Sequence, residues 1–276
     1  MPRVLILGCG YTGQRLARSL LKRGLAVFAT TRNPATLAPL AQAGAHVIHL
    51  DLASDPASLS NLNGLTGDDT LVLHSIPPIS LSSGIEEPTP RLLKALHERC
   101  TRLVYLSTTG VYGDTRDVDE STPPAPRTER QKMRLSAERA AVAGATSSLI
   151  LRPAAIYGPG RGVHVSLQAG TFRLWGKGDN FVSRIHVDDL AAHAEAALFS
   201  SVTGAFPVAD EEPCRSREIA GFCARLSGLE MPTEGHGPEL GETRHADRRV
   251  DGSAIRRALG IALQYPSYRV GIPASL

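Results

Sequence analysis

The chain has 276 residues, of which 42% are apolar and 21% are charged, and its formal net charge is +3 at pH 7. A chain of this length buries one large core, or a core with an appended lobe. Its basic residues are scattered. The densest basic stretch, RRVDGSAIRRA at residues 248–258, has no interleaved aromatic residues. We interpret that stretch as a solvated helix face and expect no nucleic-acid partner.

Cysteine and histidine spacing argues against disulfide and metal frameworks. Cys9, Cys100, Cys214 and Cys223 are far apart and form no C-x-x-C pair. The first apolar run, VLILG, is too short for a secretory segment, and no apolar span approaches the length of a membrane helix. We therefore expect reduced thiols, a cytoplasmic location and no membrane partner. The histidines show no ligand spacing, so we expect no metal site.

Short apolar runs alternate with helical patterns through the first half of the chain. Near-continuous apolar strands separated by helices imply a parallel sheet covered on both faces. Right-handed crossovers make this a doubly wound α/β domain. The predicted strands are Val4–Leu7, Ala26–Thr30, His46–Leu50, Thr70–His74, Leu103–Ser107 and Ser148–Arg152. The predicted helices are Thr12–Arg23, a short one before the third strand, Leu92–Arg99, Thr128–Ala143 and the Ala-rich Asp189–Phe199.

The regular alternation weakens after Pro153, where AIYGPGRG and GKGDN are rich in turn residues. From about Glu211 onward the pattern is typical of a small helical lobe. We predict an α/β domain over residues 1–157, to which a strand and a helix near residues 181–210 return. Residues 158–276 then form mainly a small C-terminal lobe.

A glycine-rich turn joins the first strand to the first helix in VLILGCGYTGQRLA, where the spacing is G-x-G-x-x-G. Gly8 permits the tight turn, Gly10 lets a pyrophosphate approach the backbone, and Gly13 lets helix and strand pack closely. Free N–H groups at the helix start favour a dianionic pyrophosphate. The pattern indicates a Rossmann dinucleotide site that also includes Tyr11 and Thr12. A tight turn that binds nothing is the less favoured alternative.

The end of the second strand, TTRNP, bears on the choice between NAD and NADP. NAD-selective folds usually place an Asp or Glu here for the ribose 2′-hydroxyl. Thr30, Thr31 and Arg32 stand there instead, and two hydroxyls with a guanidinium suit a 2′-phosphate. NADP is therefore favoured, the alternative being that Arg32 is a surface arginine. Asp51, with Leu52 as a further cofactor contact, either accepts a hydrogen bond from the adenine amino group or caps the next turn.

Five segments, taken in order, resemble an extended short-chain dehydrogenase/reductase of the NAD-dependent epimerase/dehydratase type. They are GCGYTG, LSTTGVYGD, TERQKMRLSAE, LRPAAIYGPG and RIHVDDLA, and with VADEEP they span most of the chain. The GxGYTG form and the short chain are most similar to an atypical branch with a reduced substrate lobe. The resemblance implies an oxidoreductase or epimerase that acts on a small or sugar-like carbonyl or alcohol. It also implies homodimerisation through the helix after LSTTGVYG and its neighbour.

The resemblance assigns roles to residues at the ends of the strands. Thr108 falls at the position of a Ser or Thr that hydrogen-bonds the reacting oxygen. Ser75, Ile76 and Pro77 would lie along the ribose and nicotinamide of the cofactor. Pro153 belongs to the segment that would pack beside the nicotinamide.

By the same resemblance, we expect the RIHVDD segment to hold the two lobes together rather than to take part in catalysis. It contributes Arg184, His186 and Asp188. We interpret His186 as a hydrogen-bonded core or interface histidine. Asp188 and Asp189 are expected to cap the Ala-rich helix.

The chain departs from the family in its acid–base pair, which is a Tyr and a Lys spaced Tyr-x-x-x-Lys on the helix after the Ser/Thr strand. Alignment on the AER triplet puts Arg130 at the tyrosine and Arg134 at the lysine, and the helix holds no tyrosine. A guanidinium keeps its proton at physiological pH, since its ordinary pKa lies above ~12. Arg134 can therefore supply positive charge, while Arg130 can polarise a carbonyl or clamp an anion but cannot act as general base. The alternative is an exposed Arg134–Glu138 ion pair worth about 0.3–0.5 kcal/mol.

Proton transfer would then need a substitute group or an ordered water. The resemblance brings Tyr112 and Tyr157 near the nicotinamide, although core packing is the default role of each. His164 is interpreted as a loop histidine with an ordinary pKa near ~6.5, and it is a candidate on the same footing as Glu120 and Asp114. The missing dyad leaves open a non-catalytic NADP(H)-binding sensor or scaffold. A structural protein that binds no nucleotide is a third hypothesis.

Overall fold

The computed structural model describes residues 2–67, 69–82, 84–96, 101–235 and 246–276. The chain divides into two compact units. The first unit contains Met1–Val111, Pro126–Arg152 and Ala191–Ala205. The second unit contains Tyr112–Ala125, Pro153–Leu190 and Phe206–Leu276.

A seven-stranded sheet organises the first unit. Its strands are β1 (Arg3–Leu7), β2 (Ala26–Thr31), β3 (His46–His49), β4 (Thr70–His74), β5 (Arg102–Leu106), β6 (Ser148–Pro153) and β7 (Gly204–Val208). Their order is β7-β6-β5-β4-β1-β2-β3, and all pairs from β3 to β6 are parallel. The predicted doubly wound α/β fold is confirmed. Because the chain order reverses between β1 and β4, the carboxyl ends of these strands border the crevice where such sheets bind ligands.

Nine helices connect or follow these strands within the described ranges. They are α1 (Tyr11–Lys22), α2 (Ala38–Gln42), α3 (Thr89–Ala95), α4 (Glu129–Ala143), α5 (Val163–Gln168), α6 (Val187–Leu198), α7 (Ser216–Ser227), α8 (Ser253–Leu259) and α9 (Tyr268–Gly271). Short 3-10 turns occur at Pro34–Leu37, Pro56–Leu62, Thr109–Tyr112 and Pro273–Ser275.

Short two-stranded pairings complete the described structure. Ile79–Leu81 pairs with Gly84–Glu86 in the first unit. In the second unit the pairs are Asp117–Val118 with Arg249–Val250, Ala155–Tyr157 with Arg184–His186, Leu174–Trp175 with Glu234–Gly235, and Phe181–Val182 with Cys214–Arg215.

Each unit has its own apolar core. In the first unit, sheet residues such as Leu5, Val72 and Tyr105 pack in one buried cluster with Ala137 and Ala141 of α4. The small alanines let α4 approach the sheet closely, which fixes the position of the polar residues on the same helix. In the second unit a separate buried cluster includes Tyr157, Phe172, Ile219, Tyr268 and Ile272.

Several sequence-based boundaries and roles need correction. The third strand ends at His49 rather than Leu50, and α3 begins at Thr89 and ends at Ala95. The rest of the predicted 92–99 helix reaches residues 97–99, which lie outside the described residues, as does Cys100. Cys9, Cys214 and Cys223 are buried free thiols.

Two polar residues of the second unit bind backbone groups of distant segments. Asp189 lies inside the first turn of α6, and its carboxylate accepts the N–H groups of Gln264 and Tyr265 at 2.8 and 3.0 Å. It therefore ties down the 264–265 segment. Arg248 is buried and donates from Nε to Thr115 O at 3.0 Å, so the basic stretch is not simply a solvated helix face.

The described residues lack two features, a membrane-spanning helix and a metal-binding cluster. No helix there has both the length and the apolar character needed to span a bilayer. The same residues contain no group of three His, Cys, Asp or Glu side chains arranged to hold a metal ion.

Candidate nucleotide and catalytic site

The glycine turn after β1 requires glycine at its first position. Gly8 has φ +81°, a left-handed conformation that residues with a side chain rarely adopt. A Cβ at Gly8 would lie 2.8 Å from Cγ1 of Ile76. The Gly8 N–H donates to Thr30 Oγ1 at 2.9 Å, so the turn is tied to β2 as well.

The other two glycines differ in what surrounds them. A Cβ at Gly13 would lie 3.1 Å from Cγ2 of Ile6, so α1 packs closely on β1. A Cβ at Gly10 would approach only the Gly8 carbonyl oxygen, at 3.9 Å, so the space above Gly10 is open. Gly10 is the N-cap of α1, no side chain caps it, and the first turn of the helix has no acidic residue. The turn therefore offers the space and uncapped donors that a pyrophosphate group needs.

The next two residues of the turn have different environments. The guanidinium of Arg15 lies 4.2 Å from the centre of the Tyr11 ring, and its Nη1 donates to Tyr11 O at 2.9 Å. Thr12 is buried in the first turn of α1. The Tyr11 ring is therefore held against α1, next to the glycine turn.

At the end of β2, the three predicted phosphate ligands differ in exposure. Thr30 is buried and its hydroxyl accepts the Gly8 N–H, so it supports the glycine turn, and its role at a 2′-phosphate stays a prediction. Thr31 is half-buried, and its Oγ1 accepts the N–H of Asn33 at 3.3 Å. Arg32 is exposed.

The structure shows the turn-capping role of Asp51. Its Oδ1 accepts the N–H groups of Ala53 and Ser54 at 3.1 and 3.0 Å. These bonds, that of Ser54 foremost, together with the charge of Arg32, lower the pKa of the Asp51 carboxyl. Leu52 is buried beside it in the core.

The segment after β4 is locked to the glycine turn. Ser75 Oγ donates to Gly8 O at 2.7 Å, and the Ile76 N–H donates to His74 Nδ1 at 3.3 Å. Ile76 is half-buried and Pro77 is exposed. The 75–77 segment and the glycine turn therefore lie side by side at the carboxyl edge of the sheet.

After β5, the hydroxyl of Thr108 is oriented by the backbone. Its Oγ1 accepts the N–H of Gly110 at 3.1 Å. This bond uses a lone pair and leaves the O–H free to turn toward another oxygen. Thr108 is half-buried.

The two arginines of α4 are not equivalent. Arg134 is buried, its Nη2 donates to Leu106 O at 2.6 Å, and its guanidinium lies 5.0 Å from the centre of the Tyr105 ring. Arg130, in the first turn of the helix, is exposed. The α4 helix begins with a capping box in which Thr128 and Gln131 bond each other's backbone N–H groups.

The alternative of an exposed Arg134–Glu138 ion pair is wrong. Glu138 is buried and binds Arg152 of β6, with Nη2 to Oε2 at 2.6 Å and Nε to Oε1 at 3.0 Å. The Ser107 hydroxyl donates to the same carboxylate. The charge of Arg134 is therefore not paired with the carboxylate of Glu138.

The tyrosines considered as substitute acids are core residues. Tyr112 is fully buried, and Tyr157 donates its hydroxyl to Ser267 O at 3.2 Å. Burial raises the pKa of Tyr157. The core assignment of His186 is confirmed, since it is buried with its ring 3.8 Å from that of Tyr265.

The remaining predicted residues are placed as follows. His164 is buried in α5 rather than exposed in a loop, and burial lowers its pKa, so its predicted use as a titrating loop histidine is wrong. Asp114 and Glu120 are exposed. Pro153 is buried at the end of β6.

The second unit contains a cavity of 270 Å³. Its wall combines aromatic and basic side chains with two serines. They include Tyr157, Phe172, Trp175, Arg161, Arg173, Arg184, Ser166 and Ser216. Such a lining suits a ligand that has both a flat or apolar face and negative charge.

Comparison with known proteins places this geometry in a family. The profile of the NAD dependent epimerase/dehydratase family matches residues 4–205. The chain belongs to this family. Protein YeeZ from Escherichia coli strain K12 is 30% identical over an alignment of 282 positions, which covers 96% of this chain and 97% of YeeZ.

Solved structures share this fold. A functionally unknown conserved protein from Silicibacter pomeroyi is 30% identical with a TM-score of 0.81, covering 99% of this chain and 98% of its own. MoeE5, solved in complex with UDP-glucose and NAD, is 22% identical with a TM-score of 0.78, covering 99% of this chain and 97% of its own. At that identity MoeE5 supports the fold alone.

This epimerase/dehydratase family member has a polar network that the sequence analysis missed. His74 Nε2 lies 2.9 Å from Thr89 Oγ1, and Thr89 Oγ1 donates to Glu87 Oε1 at 2.5 Å. A histidine at the end of a fully buried strand, in TLVLH, was the available signal. Its significance depends on Glu87 and Thr89, which only the fold brings to it.

Proposed function

We propose that this epimerase/dehydratase family member is an NAD(P)-dependent oxidoreductase or epimerase that acts on the alcohol or carbonyl of a small or sugar-like substrate. The observation that carries the proposal is the open space above Gly10 at the uncapped start of α1. Backbone donors and the helix dipole there favour a bound pyrophosphate. When bound, the nicotinamide would supply or accept the hydride.

NADP is the preferred nucleotide in this proposal. Arg32 is exposed at the end of β2, and the acidic residue that would select a ribose 2′-hydroxyl is absent from TTRNP. A guanidinium at this place suits the doubly charged 2′-phosphate. Thr31 is the second polar group available at the same strand end.

The chain's own residues would then handle the reacting oxygen. The Thr108 hydroxyl, oriented by Gly110, donates a hydrogen bond to that oxygen. Arg134 supplies the positive charge that a lysine supplies elsewhere in the family, from a buried position fixed by Leu106. Arg130, exposed one turn earlier, is available to clamp an anionic group of the substrate.

The cavity of the second unit supports an anionic substrate. Arg161, Arg173 and Arg184 contribute to its wall together with three aromatic side chains. A sugar that carries a nucleoside diphosphate, such as the UDP-glucose bound by MoeE5, has both the charge and the flat ring that this lining favours.

Titration calorimetry with NADP and NAD tests the nucleotide part of the proposal. Wild-type protein should bind one or both nucleotides with micromolar or tighter affinity. Gly10→Ala should weaken binding at least tenfold, because the new methyl group would occupy the space of the pyrophosphate. Gly67→Ala, whose methyl group would be 3.7 Å from Asp69 Oδ1, is the matched control and should bind normally. Absence of binding by the wild type would overturn the proposal.

A screen of carbonyls, alcohols and sugar nucleotides, read at the nicotinamide absorbance, tests the chemical part. Turnover with any substrate supports an oxidoreductase or epimerase. Nucleotide binding without turnover would favour a second function, a nucleotide-dependent sensor or scaffold, for which the absence of tyrosine from α4 is the supporting observation. Arg130→Tyr combined with Arg134→Lys separates the two. Activity gained from zero indicates a lapsed site, and activity lost indicates an altered one.

A further inference from the structure

Two buried polar atoms of the first unit, Arg134 Nη1 and Glu87 Oε2, have no hydrogen-bond partner among the described residues. The guanidinium of Arg134 lies 5.0 Å from the centre of the Tyr105 ring, which in turn lies 5.0 Å from the centre of the His74 ring. Thr89 connects His74 to Glu87, so these side chains form one cluster. A buried donor and a buried acceptor left open in one place indicate that something else is meant to complete them.

A hydrogen-bond chain fixes which oxygen of Glu87 stays open. The Ile76 N–H donates to His74 Nδ1, so the proton of the neutral imidazole is on Nε2. That Nε2–H faces Thr89 Oγ1 at 2.9 Å, and the only hydroxyl hydrogen of Thr89 is directed to Glu87 Oε1. The Thr89 N–H donates to the same oxygen at 3.2 Å.

Burial maintains the direction of this chain. It lowers the pKa of His74 to about 3, with help from the charge of Arg134, so the ring stays neutral. With Oε1 held twice by Thr89, only Oε2 of Glu87 remains to bind another group. His74 and Thr89 therefore act as positioning residues for the Glu87 carboxylate.

The two open atoms have complementary hydrogen-bonding roles, one an acceptor and the other a donor. A hydroxyl group is suited to both, since it donates one hydrogen and also accepts. His74 ends β4 and Leu106, which anchors Arg134, ends β5. The pair thus lies at the carboxyl edge of the sheet, where ligands bind in this architecture.

We propose that Glu87 is the acid–base residue of the reaction proposed above, replacing the tyrosine that α4 lacks. The inference rests on the proposed function. In the oxidation direction, the substrate O–H bond breaks, its proton passes to Glu87 Oε2 and its electron pair forms the C=O bond. The C–H bond of the carbon that bears this oxygen breaks at the same time, and a bound nicotinamide would accept the hydride. In the reduction direction, Glu87 returns the proton to the oxygen. Arg134 stabilises the negative charge that develops on that oxygen.

The electrostatic surroundings of Glu87 suit this role. Burial raises the pKa of the Glu87 carboxyl, while the hydrogen bonds of Thr89 and the charge of Arg134 lower it and the charge of Glu86 raises it. The balance leaves the pKa above its ordinary value, which moves a carboxylate toward the range where it exchanges protons efficiently. Two other groups face the same cluster: His74, which stays neutral, and Tyr105, whose pKa burial raises.

The activity test compares Glu87 with a distant glutamate. Glu87→Gln keeps the shape of the side chain but cannot take up a proton, and it should lower kcat about 100-fold or more while nucleotide affinity changes less than about threefold. Glu230→Gln, at an exposed glutamate of the second unit, is the control and should keep the wild-type rate. The wild-type oxidation rate should rise with pH through the Glu87 pKa, and Glu87→Asp should retain such a limb at a shifted position.

A second test needs neither substrate nor cofactor. In protein labelled with ¹³C on glutamate carboxyl carbons, the Glu87 signal is the one that disappears in Glu87→Gln or, if that variant does not fold, in Glu87→Asp. It should titrate above an ordinary glutamate in the wild type and still higher in Arg134→Met, because the neighbouring positive charge is gone.

The outcomes separate this inference from the proposed function. Wild-type turnover that survives Glu87→Gln with an unchanged pH profile overturns the role of Glu87 and leaves the proposed function intact. A Glu87 carboxyl that titrates at the ordinary value and ignores Arg134→Met also overturns it, whatever the activity. Absence of wild-type turnover despite nucleotide binding overturns the proposed chemistry and the Glu87 role together.

Discussion

The carboxylate of Glu138 on α4 receives the guanidinium of Arg152 on β6 through two different nitrogens, Nη2 at 2.6 Å and Nε at 3.0 Å. Both side chains are buried, with 4% and 6% of their surface exposed. Because both charges are out of water, each depends on the other for compensation. This ion pair fastens the helix that carries Arg130 and Arg134 to the sheet.

Removal of the Glu138 charge should therefore be costly. Glu138→Gln removes the negative charge that binds the buried guanidinium of Arg152, and we expect the free energy of unfolding to fall by about 3–5 kcal/mol. Urea unfolding followed by circular dichroism measures this. The control is Glu129→Gln, which breaks an exposed pair with Lys132 on the same helix and should cost less than about 0.5 kcal/mol. Similar losses in the two variants would contradict the prediction.

Two glycines of the same turn should affect different properties, Gly8 the stability of the fold and Gly10 the binding of nucleotide. Gly8→Ala places a side chain at φ +81° and a methyl group 2.8 Å from Ile76, so we expect a loss of at least about 1–2 kcal/mol of stability. Gly10 has φ −89° and ψ −145°, which is outside the usual extended region, but the space around it is open, so Gly10→Ala should lower the thermal midpoint less than Gly8→Ala. Differential scanning calorimetry without nucleotide compares them. Equal thermal midpoints for Gly8→Ala and the wild type would contradict this prediction.

Arg32 should discriminate between the two nucleotides. A charge-assisted bond to a phosphate contributes about 1.5–3 kcal/mol, so Arg32→Ala should weaken NADP binding about tenfold or more. NAD lacks the 2′-phosphate, and its affinity should change less than about twofold. Arg257→Ala, at an exposed arginine of α8, is the control and should affect neither nucleotide. Equal losses for NADP and NAD would refute the assigned role of Arg32.

The fold and the glycine turn were predictable because their signals are local. Apolar runs of strand length and a glycine that must adopt positive φ express backbone chemistry within a few residues, and Gly8 behaves as predicted. The partners of buried charges are not local. Spacing alone paired Arg134 with Glu138, whereas the sheet presents Arg152 to Glu138 and Leu106 O to Arg134.

The same limit explains the other corrections. Nothing in TTRNP itself distinguishes the hydroxyl of Thr30 from that of Thr31. Side chains alternate along β2, so Thr30 is buried under the glycine turn while Thr31 is half-buried. His164 follows three glycines within six residues and resembles a loop histidine, yet α5 begins at Val163 and buries it. In each case a tertiary contact decides the role.

The buried carboxyl of Asp210 in the second unit should give the protein an unusual dependence of stability on pH. Burial raises its pKa from 3.8 to about 8, although the charge of Arg184 and the N–H of Glu212 lower it and the charges of Glu212 and Asp189 raise it. Oδ1 accepts the Glu212 N–H at 3.3 Å, and Oδ2 has no partner among the described residues. The folded protein therefore keeps a proton there that the unfolded chain has already released.

The sign of the effect follows from proton binding. Between about pH 4 and pH 8 the folded state binds more protons than the unfolded state at this site, so stability falls as the pH rises, by up to about 1.4 kcal/mol per pH unit. Asp210→Asn mimics the protonated form and should remove this slope, becoming more stable than the wild type near pH 8. Urea unfolding at several pH values across this range measures it. Asp119→Asn, at a carboxyl whose pKa is lowered by the Ser121 hydroxyl, is the control and should keep the wild-type slope. A slope that persists in Asp210→Asn would show that the carboxyl is already ionised in the folded protein.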